Sequence, residues 1–213
     1  MVHWPMTQNE TLPAVAAGQR GPADHAIRSQ IIAAAGEHFK HYGFQKTTVS
    51  DLAKAIGFSK AYIYKFFDSK QAIGEAICAE CLEKIALAAT EASAGGRTAT
   101  ERFRKFFRAT VDTSAKLFFH ERRLFDIAAL SIEEKWPTST LHNEKMIALL
   151  TSILVAGRQW GEFERKTPLD ETARVIFQSM QPFTNPLMLM HNLDSLHDGP
   201  TEVANLVLRS LTP

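Results

Sequence analysis

The feature that most constrains the fold is a pair of short segments on either side of Gly57, in the stretch TTVSDLAKAIGFSKAYIYKFF. Thr48 is a suitable N-cap for the first segment, and Asp51, three residues later, completes the pattern of a capping box. Ser59 is a suitable N-cap for a second helix over residues 60–67. Gly57 can adopt the left-handed conformation that ends many helices. The stretch therefore predicts two short helices joined by a tight turn, which is a helix-turn-helix.

A longer helix is predicted before this pair, beginning near Asp24 and ending at Gly43. Its apolar stripe recurs at helical spacing and consists of Ile27, Ile31, Ala35, Phe39 and Tyr42. Two short helices cannot bury their own apolar faces, so this preceding helix is needed to close a three-helix core. Phe44 and Phe58 are expected to close the ends of that core.

The second short helix is predicted to have an apolar side and an open side. At about 100° per residue, Ile63 and Phe67 point towards the core. Ala61, Tyr62 and Lys65 fall on the opposite side, where they offer a small residue, a hydrogen-bonding aromatic and a cation. Such a face suits entry into a DNA major groove, which is about 12 Å wide.

Three further residues near this helix are candidates for DNA contacts. Lys60 lies in the first turn, where recognition helices usually meet base edges. Tyr64 lies at the edge of the open side and could direct its hydroxyl to a phosphate, although the alternative for both Tyr62 and Tyr64 is an ordinary half-buried tyrosine. Lys70 lies at the start of the next helix, which Asp68 or Ser69 is expected to cap and where backbone N–H groups also favour an anion.

The distribution of charge agrees with a phosphate-binding surface. The whole chain has a formal net charge of only +1, but residues 40–70 contain six lysines and two aspartates, a local balance of +4. From residue 91 to the end, fifteen basic residues balance fifteen acidic ones. A positive bias confined to one short region is typical of an electrostatic footprint for nucleic acid, although charged faces are often only solvated.

The segment TTVSDLAKAIGFSKAYIYKFFDSKQAI resembles the DNA-binding signature of the TetR family of bacterial repressors. The matching residues are Thr47, Thr48, Asp51, Leu52, Ala53, Gly57, Ser59, Tyr64, Phe67, Ser69 and Lys70. The preceding IIAAAGEHFKHYGF is similar to the first helix of that family, so the resemblance covers about residues 25–75. Ala61 and Phe66 depart from the family pattern, in which many members have glycine and a histidine or tyrosine.

The resemblance implies an all-α fold with an N-terminal three-helix DNA-binding domain and a larger helical domain that binds an effector and dimerises. We expect a flexible arm over residues 1–23, the helix-turn-helix domain over residues 24–68 and the effector-binding and dimerisation domain over residues 69–213. It also implies that Tyr64 and Lys70 contact the phosphate backbone. The full set of predicted DNA-binding residues is Lys46, Thr47, Thr48, Ser50, Ser59, Lys60, Ala61, Tyr62, Tyr64, Lys65 and Lys70.

The rest of the chain shows helical periodicity interrupted at GG, WP and GEF, which predicts a helical second domain. A pocket between these helices should be largely apolar, as small-molecule sites usually are. Aromatic residues are the candidates to line it, although most aromatics belong to cores. The candidates are Phe103, Phe107, Phe118, Phe125, Trp136, Trp160 and Phe163. Polar anchors could come from His120, Arg123, His142 or Arg158, for which surface or core positions are the alternative.

The C-terminal segments are predicted to form a dimer interface, because family members typically dimerise through their last two long helices. A DNA-binding protein of this kind also needs two-fold symmetry, because its two recognition helices must be rigidly linked to reach two half-sites on one duplex. The candidate interface residues are Ile176, Phe177, Met180, Leu187, Val203, Leu206, Val207 and Leu211. The alternative is that this Met-rich stretch is simple core. Pro182 and Pro186 are expected to kink or interrupt the first of the two helices.

No motif points to catalysis, a cofactor or a metal site. The sequence lacks a G-x-G-x-x-G, a P-loop, an H-E-x-x-H and a nucleophile elbow. Cys78 and Cys81 form a C-x-x-C without a second pair of ligands, so small buried residues are favoured over a redox or zinc role. The N-terminus lacks the features of a signal peptide, and no apolar run reaches the length of a membrane span, so a cytoplasmic location is expected.

Three hypotheses therefore remain. The first is a dimeric repressor that a small, largely apolar effector releases from a palindromic operator in double-stranded DNA, without enzymatic activity. The second is a DNA-binding protein of the same fold that a protein partner controls. The third is a helical enzyme or carrier whose basic segment is incidental.

Overall fold

The computed structural model describes residues 22–120 and 122–213, which form helices and turns with no strand among them. The all-α prediction is thus confirmed, while residues 1–21 of the predicted arm lie outside the described residues. The helices are α1 (Pro22–Tyr42), α2 (Val49–Ile56), α3 (Lys60–Ile63), α4 (Lys70–Ala94), α5 (Ala99–His120), α6 (Arg122–Glu133), α7 (Pro137–Gln159), α8 (Leu169–Thr184), α9 (Pro186–Leu189) and α10 (Gly199–Ser210), with a 3₁₀ turn at Leu193–Ser195. We refer to α1–α3 as the head and to α4–α10 as the body.

Side-chain caps define the ends of the helices in the head. The amide of Asp51 donates to the Thr48 hydroxyl at 3.2 Å, and the amide of Thr48 donates to the Asp51 carboxylate at 2.9 Å. Gly57 ends α2 with φ of 79°, a conformation that side chains with a Cβ rarely adopt. Ser59 caps α3, and Ser69 rather than Asp68 caps α4. The predicted capping box, glycine stop and serine cap are confirmed.

The second helix of the pair is shorter than the sequence predicts. Regular α-helix covers only Lys60–Ile63, followed by turns over residues 64–66. The amide of Lys65 donates to the carbonyl of Tyr62 and that of Phe66 to the carbonyl of Ile63, which are i to i+3 bonds of a tighter turn. The chain therefore keeps a helical path as far as Phe67, although the α-helical part is a single turn.

The head has the predicted three-helix core. Ile31, Phe39, Leu52 and Ile63 are fully buried, and Phe67 is 3% exposed. Phe44 is also buried, and Phe58 packs partly buried against the same cluster. Tyr42 was predicted on the same stripe, and this is wrong: it is the last residue of α1, it is 64% exposed, and its ring lies 4.5 Å from that of His38.

The body encloses a second core between α4, α5, α7, α8 and α10. A long-range cap closes one end of it, since the amides of Ala99 and Thr100 donate to the carboxylate of Glu162 at 2.8 and 3.1 Å. As expected, the helix is interrupted next to Pro186, because α8 ends at Thr184 and Asn185 caps α9, whereas Pro182 lies within α8 without ending it. Among the described residues, no helix combines the length and hydrophobicity needed to cross a membrane.

The head and the body share one apolar junction. Trp136, from the loop between α6 and α7, is 1% exposed and belongs to the same core cluster as the head residues. Its ring centroid lies 5.9 Å from that of Phe44 in an edge-to-face arrangement. Gly74 of α4 lies against both rings: a Cβ at this position would be 2.8 Å from Phe44 and 3.0 Å from Trp136. The absence of a side chain at Gly74 is thus what allows the two rings to meet.

Replacing Gly74 with alanine is expected to destabilise the protein by about 1–3 kcal/mol, because a methyl group here overpacks a junction whose rings have no free space. The matched control is Gly36→Ala in α1, where nothing lies within 4 Å of the new Cβ. That variant should gain about 0.4–1 kcal/mol from the lower entropy of its unfolded chain. Urea unfolding of both variants measures the difference, and a Gly74→Ala protein as stable as the wild type would contradict the junction.

Candidate nucleic-acid interface

The predicted sidedness of the α3 region is present in the structure. Ile63 and Phe67 are buried, whereas Lys60, Ala61 and Lys65 are exposed. We refer to the surface formed by Lys60, Ala61, Tyr62, Tyr64 and Lys65 as the α3 face. This face carries two cations and two phenol rings and contains no acidic residue.

Aromatic packing fixes the orientation of Tyr62. Its ring lies between those of Phe58 and Phe66, with centroid distances of 5.1 and 5.4 Å and edge-to-face geometry at both contacts. The Lys65 ammonium lies 5.5 Å from the Tyr62 ring, and that of Lys60 lies 5.8 Å from the Tyr64 ring. These weak cation–π contacts keep both ammonium groups close to the α3 face while leaving their charge accessible to solvent.

The hydroxyl residues of the predicted set divide between capping and core positions. Thr48 and Ser59 are exposed N-caps, and Ser50 is half-buried in the first turn of α2. Thr47 was predicted to contact DNA, but the structure places its side chain in the interior. Its side chain is 2% exposed and its hydroxyl donates to the carbonyl of Gly43 at 2.8 Å, because it closes the turn between α1 and α2. Because the Thr47 side chain is buried, we remove it from the set of predicted DNA-binding residues.

The two remaining lysines of the set differ in their surroundings. Lys46 is exposed in the turn between α1 and α2. Lys70 is half-buried, and its ammonium donates to the carbonyl of Phe44 at 3.0 Å and to that of Gln45 at 3.5 Å. The same ammonium lies 4.5 Å from the Phe44 ring. Lys70 therefore ties the first turn of α4 to the turn that precedes α2, a structural role that the sequence did not indicate.

The body contains a cavity of about 280 Å³ between α4, α5, α6, α7 and α8, which we call the body cavity. Of the seven aromatic residues predicted to line a pocket, Phe118 alone is among its lining residues. Phe103, Phe107 and Phe163 are buried in the body core instead, Phe125 packs partly buried against it, and Trp136 lies at the junction. Trp160 is half-exposed under the guanidinium of Arg102.

The lining of the body cavity combines apolar side chains with hydroxyl, thiol, amide and amine groups. The polar lining residues that sequence reasoning missed are Cys78, Thr110, Ser114, Ser131, Lys135, Ser139, Thr140, Asn143, Gln181, Thr184 and Asn185. Thr110 and Ser114 lie one turn apart on the otherwise apolar stripe of α5. Polar residues at that spacing on a buried face are the signal that could have indicated the cavity.

Several of these polar groups satisfy one another. The Ser131 hydroxyl donates to the carbonyl of Ala128 at 2.7 Å and lies 2.9 Å from the Ser139 hydroxyl. The Cys78 thiol donates to the Ser131 hydroxyl at 3.6 Å. Burial raises the pKa of the Cys78 thiol, and hydrogen bonding to Ser131 offsets part of that effect. Cys78 and Cys81 are both buried.

His142 is the polar anchor candidate that reaches the body cavity. Burial is the main cause that lowers the pKa of its imidazole to about 4, and the Lys145 ammonium acts in the same direction against the Glu83 carboxylate. Arg158 is instead used within the body, donating to the carbonyl of Thr167 at 2.6 Å. The side chains of His120 and Arg123 lie outside the described residues.

The predicted interface residues are divided between the core and the surface. Ile176, Met180, Val207 and Leu211 are buried within the chain, and Phe177 and Met180 also line the body cavity. Leu187 and Val203 are half-buried, and Leu206 is 63% exposed on α10. Val175 on α8, which was not among the predicted residues, is 55% exposed.

Sequence comparisons identify two matching family models. The model described as bacterial regulatory proteins of the tetR family matches residues 31–77, which include α2, α3 and the turn between them. The model described as the tetracyclin repressor-like C-terminal domain matches residues 99–203. No curated protein sequence matches the chain.

Solved structures of the same fold cover most of the chain at low sequence identity. A TetR-family transcriptional regulator from Pectobacterium atrosepticum has a TM-score of 0.72 and 16% identity, covering 91% of this chain and 98% of that one. The fatty acid degradation regulator FadR from Bacillus halodurans has a TM-score of 0.66 and 18% identity, covering 90% and 97%. The regulator FadR from Bacillus subtilis, solved with stearoyl-CoA, has a TM-score of 0.61 and 21% identity, covering 86% and 97%.

The low pKa of His142 makes stability depend on pH. In the unfolded chain this imidazole gains a proton as the pH falls through about 6.5, whereas in the folded protein it stays neutral until about 4. The unfolded state therefore binds more protons in this range, so stability falls with falling pH by up to about 2 kcal/mol at about pH 5. Urea unfolding at about pH 7 and about pH 5 should reveal this loss in the wild type and a smaller loss in His142→Gln.

The control for that experiment is His191→Gln, which removes an exposed histidine from the body. It should keep the pH dependence of the wild type. If His142→Gln also keeps that dependence in full, the imidazole is not held neutral beside the body cavity.

Proposed function

The chain belongs to the TetR family of bacterial regulatory proteins and has the helix-turn-helix of a DNA-binding transcriptional regulator, and from that premise we propose that it is a dimeric, non-catalytic repressor. In this proposal, the α3 face of each protomer enters the major groove at one half-site of a palindromic operator. A small molecule in the body cavity then lowers the affinity for DNA. The observation that supports DNA recognition most directly is the α3 face itself, with its exposed lysines and oriented tyrosines.

The shape and charge of the α3 face suit contacts with base edges and phosphates. Lys60 lies in the first turn of α3, the part of a recognition helix that usually reaches the bases. Tyr62 is held by its aromatic neighbours, so little side-chain entropy is lost when it contacts DNA. The Tyr64 ring is 42% exposed and can direct its hydroxyl to a phosphate.

Dimerisation is proposed through the outer surfaces of α8 and α10. Two recognition helices must lie about 34–36 Å apart, or a multiple of it, to reach successive turns of one duplex face, so the two protomers need a rigid connection. Exposed apolar side chains on these helices, Val175 and Leu206, are candidates for the contact, with the half-buried Val203 beside Leu206 on α10. We keep Val203 and Leu206 of the predicted set, add Val175, and assign the fully buried residues of the set to the core of the protomer.

The chain segment that contains Trp136 lines the body cavity and also contacts the head. Ser131, Lys135 and Ser139 line the body cavity, and Trp136, in the same segment, packs on Phe44. We propose that a ligand displaces this segment and thereby shifts the head relative to the body. A ligand can shift the equilibrium only by the difference between its affinities for the two arrangements, so it must contact residues of this segment unequally in them.

Small-molecule control receives further support from a structural relative. The FadR regulator from Bacillus subtilis was solved in complex with stearoyl-CoA, and its fold aligns with most of this chain. The presence of a partly polar body cavity favours this form of control over control by a protein partner, which would act on the outer surface.

Selection of bound sites from random double-stranded DNA tests the proposed function. We expect the purified protein to enrich a palindrome whose half-sites are about one helical turn apart or a multiple of it, with a complex that contains an even number of chains. Failure to enrich any sequence above the input would contradict a sequence-specific regulator, and enrichment of a single asymmetric site would contradict the dimer.

The same selection with Lys60→Ala should change the preferred base at one position of each half-site, since a lysine contact with a base edge is worth about 1–3 kcal/mol of discrimination. The control is Lys84→Ala, which removes an exposed lysine from α4 in the body. An identical enriched motif from both variants would exclude Lys60 from base recognition.

Replacing Lys70 with alanine separates phosphate binding from a purely structural role. If the ammonium also contacts a phosphate through its third N–H group, the slope of log K against log salt should fall in magnitude by about 0.9 per protomer. If Lys70 only holds the turn that precedes α2, affinity should fall while the slope stays unchanged. The control variant Lys84→Ala has the same change in charge and should alter neither the affinity for DNA nor the salt slope. Fluorescence anisotropy across a salt series measures both the affinity and the slope.

A further inference from the structure

The wall of the body cavity contains a buried hydroxyl group whose hydrogen-bonding capacity is unsatisfied. Ser114 of α5 is 1% exposed, lines the body cavity, and its hydroxyl has no hydrogen-bond partner within the described residues. One turn earlier, the Thr110 hydroxyl donates to the carbonyl of Phe106 at 2.7 Å, the usual solution for a hydroxyl on a helix. A buried hydroxyl without a partner is unfavourable and uncommon in folded proteins. Ser114 is therefore an unsatisfied donor in the wall of the body cavity.

Several other polar groups that line the body cavity already have hydrogen-bond partners. The Ser131 hydroxyl donates to Ala128, so the Ser139 hydroxyl is the donor in their mutual bond. The Gln181 amide donates to the carbonyl of Phe177 at 3.4 Å and accepts from Asn185 at 3.4 Å, and the Thr184 hydroxyl donates to the carbonyl of Met180 at 3.1 Å. Unlike these groups, the buried Ser114 hydroxyl is left for a ligand to satisfy.

The charges around the body cavity restrict the ligand further. None of the described residues that line it carries a carboxylate, so a cationic ligand would find no counter-charge there. The single lysine of the lining, Lys135, is exposed at the rim, and the His142 imidazole is held neutral at physiological pH. Burying a charged group without a paired charge is strongly unfavourable. The interior thus favours an uncharged ligand.

The volume of the body cavity, about 280 Å³, is close to the lower end of the range of roughly 300–1,000 Å³ for small-molecule pockets. A single ring with a short substituent suits a pocket of this size. Leu82, Ile85, Met146 and Met180 supply an apolar wall for the hydrocarbon part.

We propose that the body cavity binds a compact, uncharged molecule that combines an apolar ring or short chain with a carbonyl-type oxygen, and that Ser114 donates a hydrogen bond to this oxygen. The proposal rests on the effector role assigned to the body cavity above and names the chemical class of that effector. It differs from the acyl-CoA class bound by the Bacillus subtilis relative in both size and charge.

Four probes of similar size test the proposal by isothermal titration calorimetry. Acetophenone carries a carbonyl oxygen, and ethylbenzene has a similar shape without it. Phenylacetate and 1-phenylethylammonium add a negative and a positive charge. The wild type should bind acetophenone about tenfold more tightly than ethylbenzene and more tightly than either charged probe.

Two serine variants identify the donor. Ser114→Ala should reduce the acetophenone preference over ethylbenzene to about one, while Ser93→Ala, which alters a buried serine outside the body cavity, should leave it unchanged. Ser114→Ala should also unfold at a temperature no lower than that of the wild type, since it removes an unsatisfied hydroxyl.

The results distinguish this inference from the proposed function. Equal affinity of the wild type for acetophenone and ethylbenzene, tighter binding of a charged probe, or no binding of any probe at millimolar concentration overturns the ligand class. If DNA selection still yields a palindrome, the regulator function stands without it. Should Ser114→Ala fail to fold, the ranking of the four probes on the wild type still decides the outcome.

Discussion

The arrangement of the whole chain depends on the buried apolar cluster that joins the head to α4 and α6, in which Trp136 packs on Phe44. Phe44 lies in the turn between α1 and α2, and Trp136 follows α6 more than ninety positions later, yet both belong to one buried cluster. Without the indole, the core of the head would be open on the side that faces the body, and buried apolar area would be lost to water. The head is therefore completed by the body, and its position follows that of the loop between α6 and α7.

The α3 face depends on this same core, because α3 has almost no stability of its own. An isolated helix of one turn does not form in water, since nucleation costs more than its few hydrogen bonds return. What holds α3 is the burial of Ile63 and Phe67 beneath it, the Ser59 cap, and the packing of Tyr62 between two phenylalanine rings. The exposure of Lys60 and Lys65 to solvent is thus a consequence of tertiary packing. A change in the core would therefore alter the position of the α3 face.

Local signals made the head predictable from sequence, and long-range contacts explain the errors. The capping box at Thr48, the left-handed Gly57 and the buried sides of α2 and α3 each arise from residues a few positions apart. Thr47 was misplaced because the closure of a turn by its hydroxyl leaves no periodic trace. Most of the aromatic residues predicted to line the body cavity lie elsewhere, because large side chains such as Phe103 fill the body core, and the lining combines aliphatic side chains with hydroxyl and amide groups. No local pattern could assign Trp136 to the head, as its partner lies far away in the chain.

The proximity of the body cavity to the junction explains how a small ligand could act on a distant surface. Along α4, Gly74 lies against Phe44 and Trp136, and Cys78, one turn later, lines the body cavity. Along the segment after α6, Lys135 lines the body cavity with φ of 54°, and the next residue is Trp136. Packed cores do not deform continuously, so pressure on these two segments is relieved by a shift between discrete packings. Because Lys70 links the first turn of α4 to the turn before α2, such a shift in α4 would be passed directly to the helix-turn-helix.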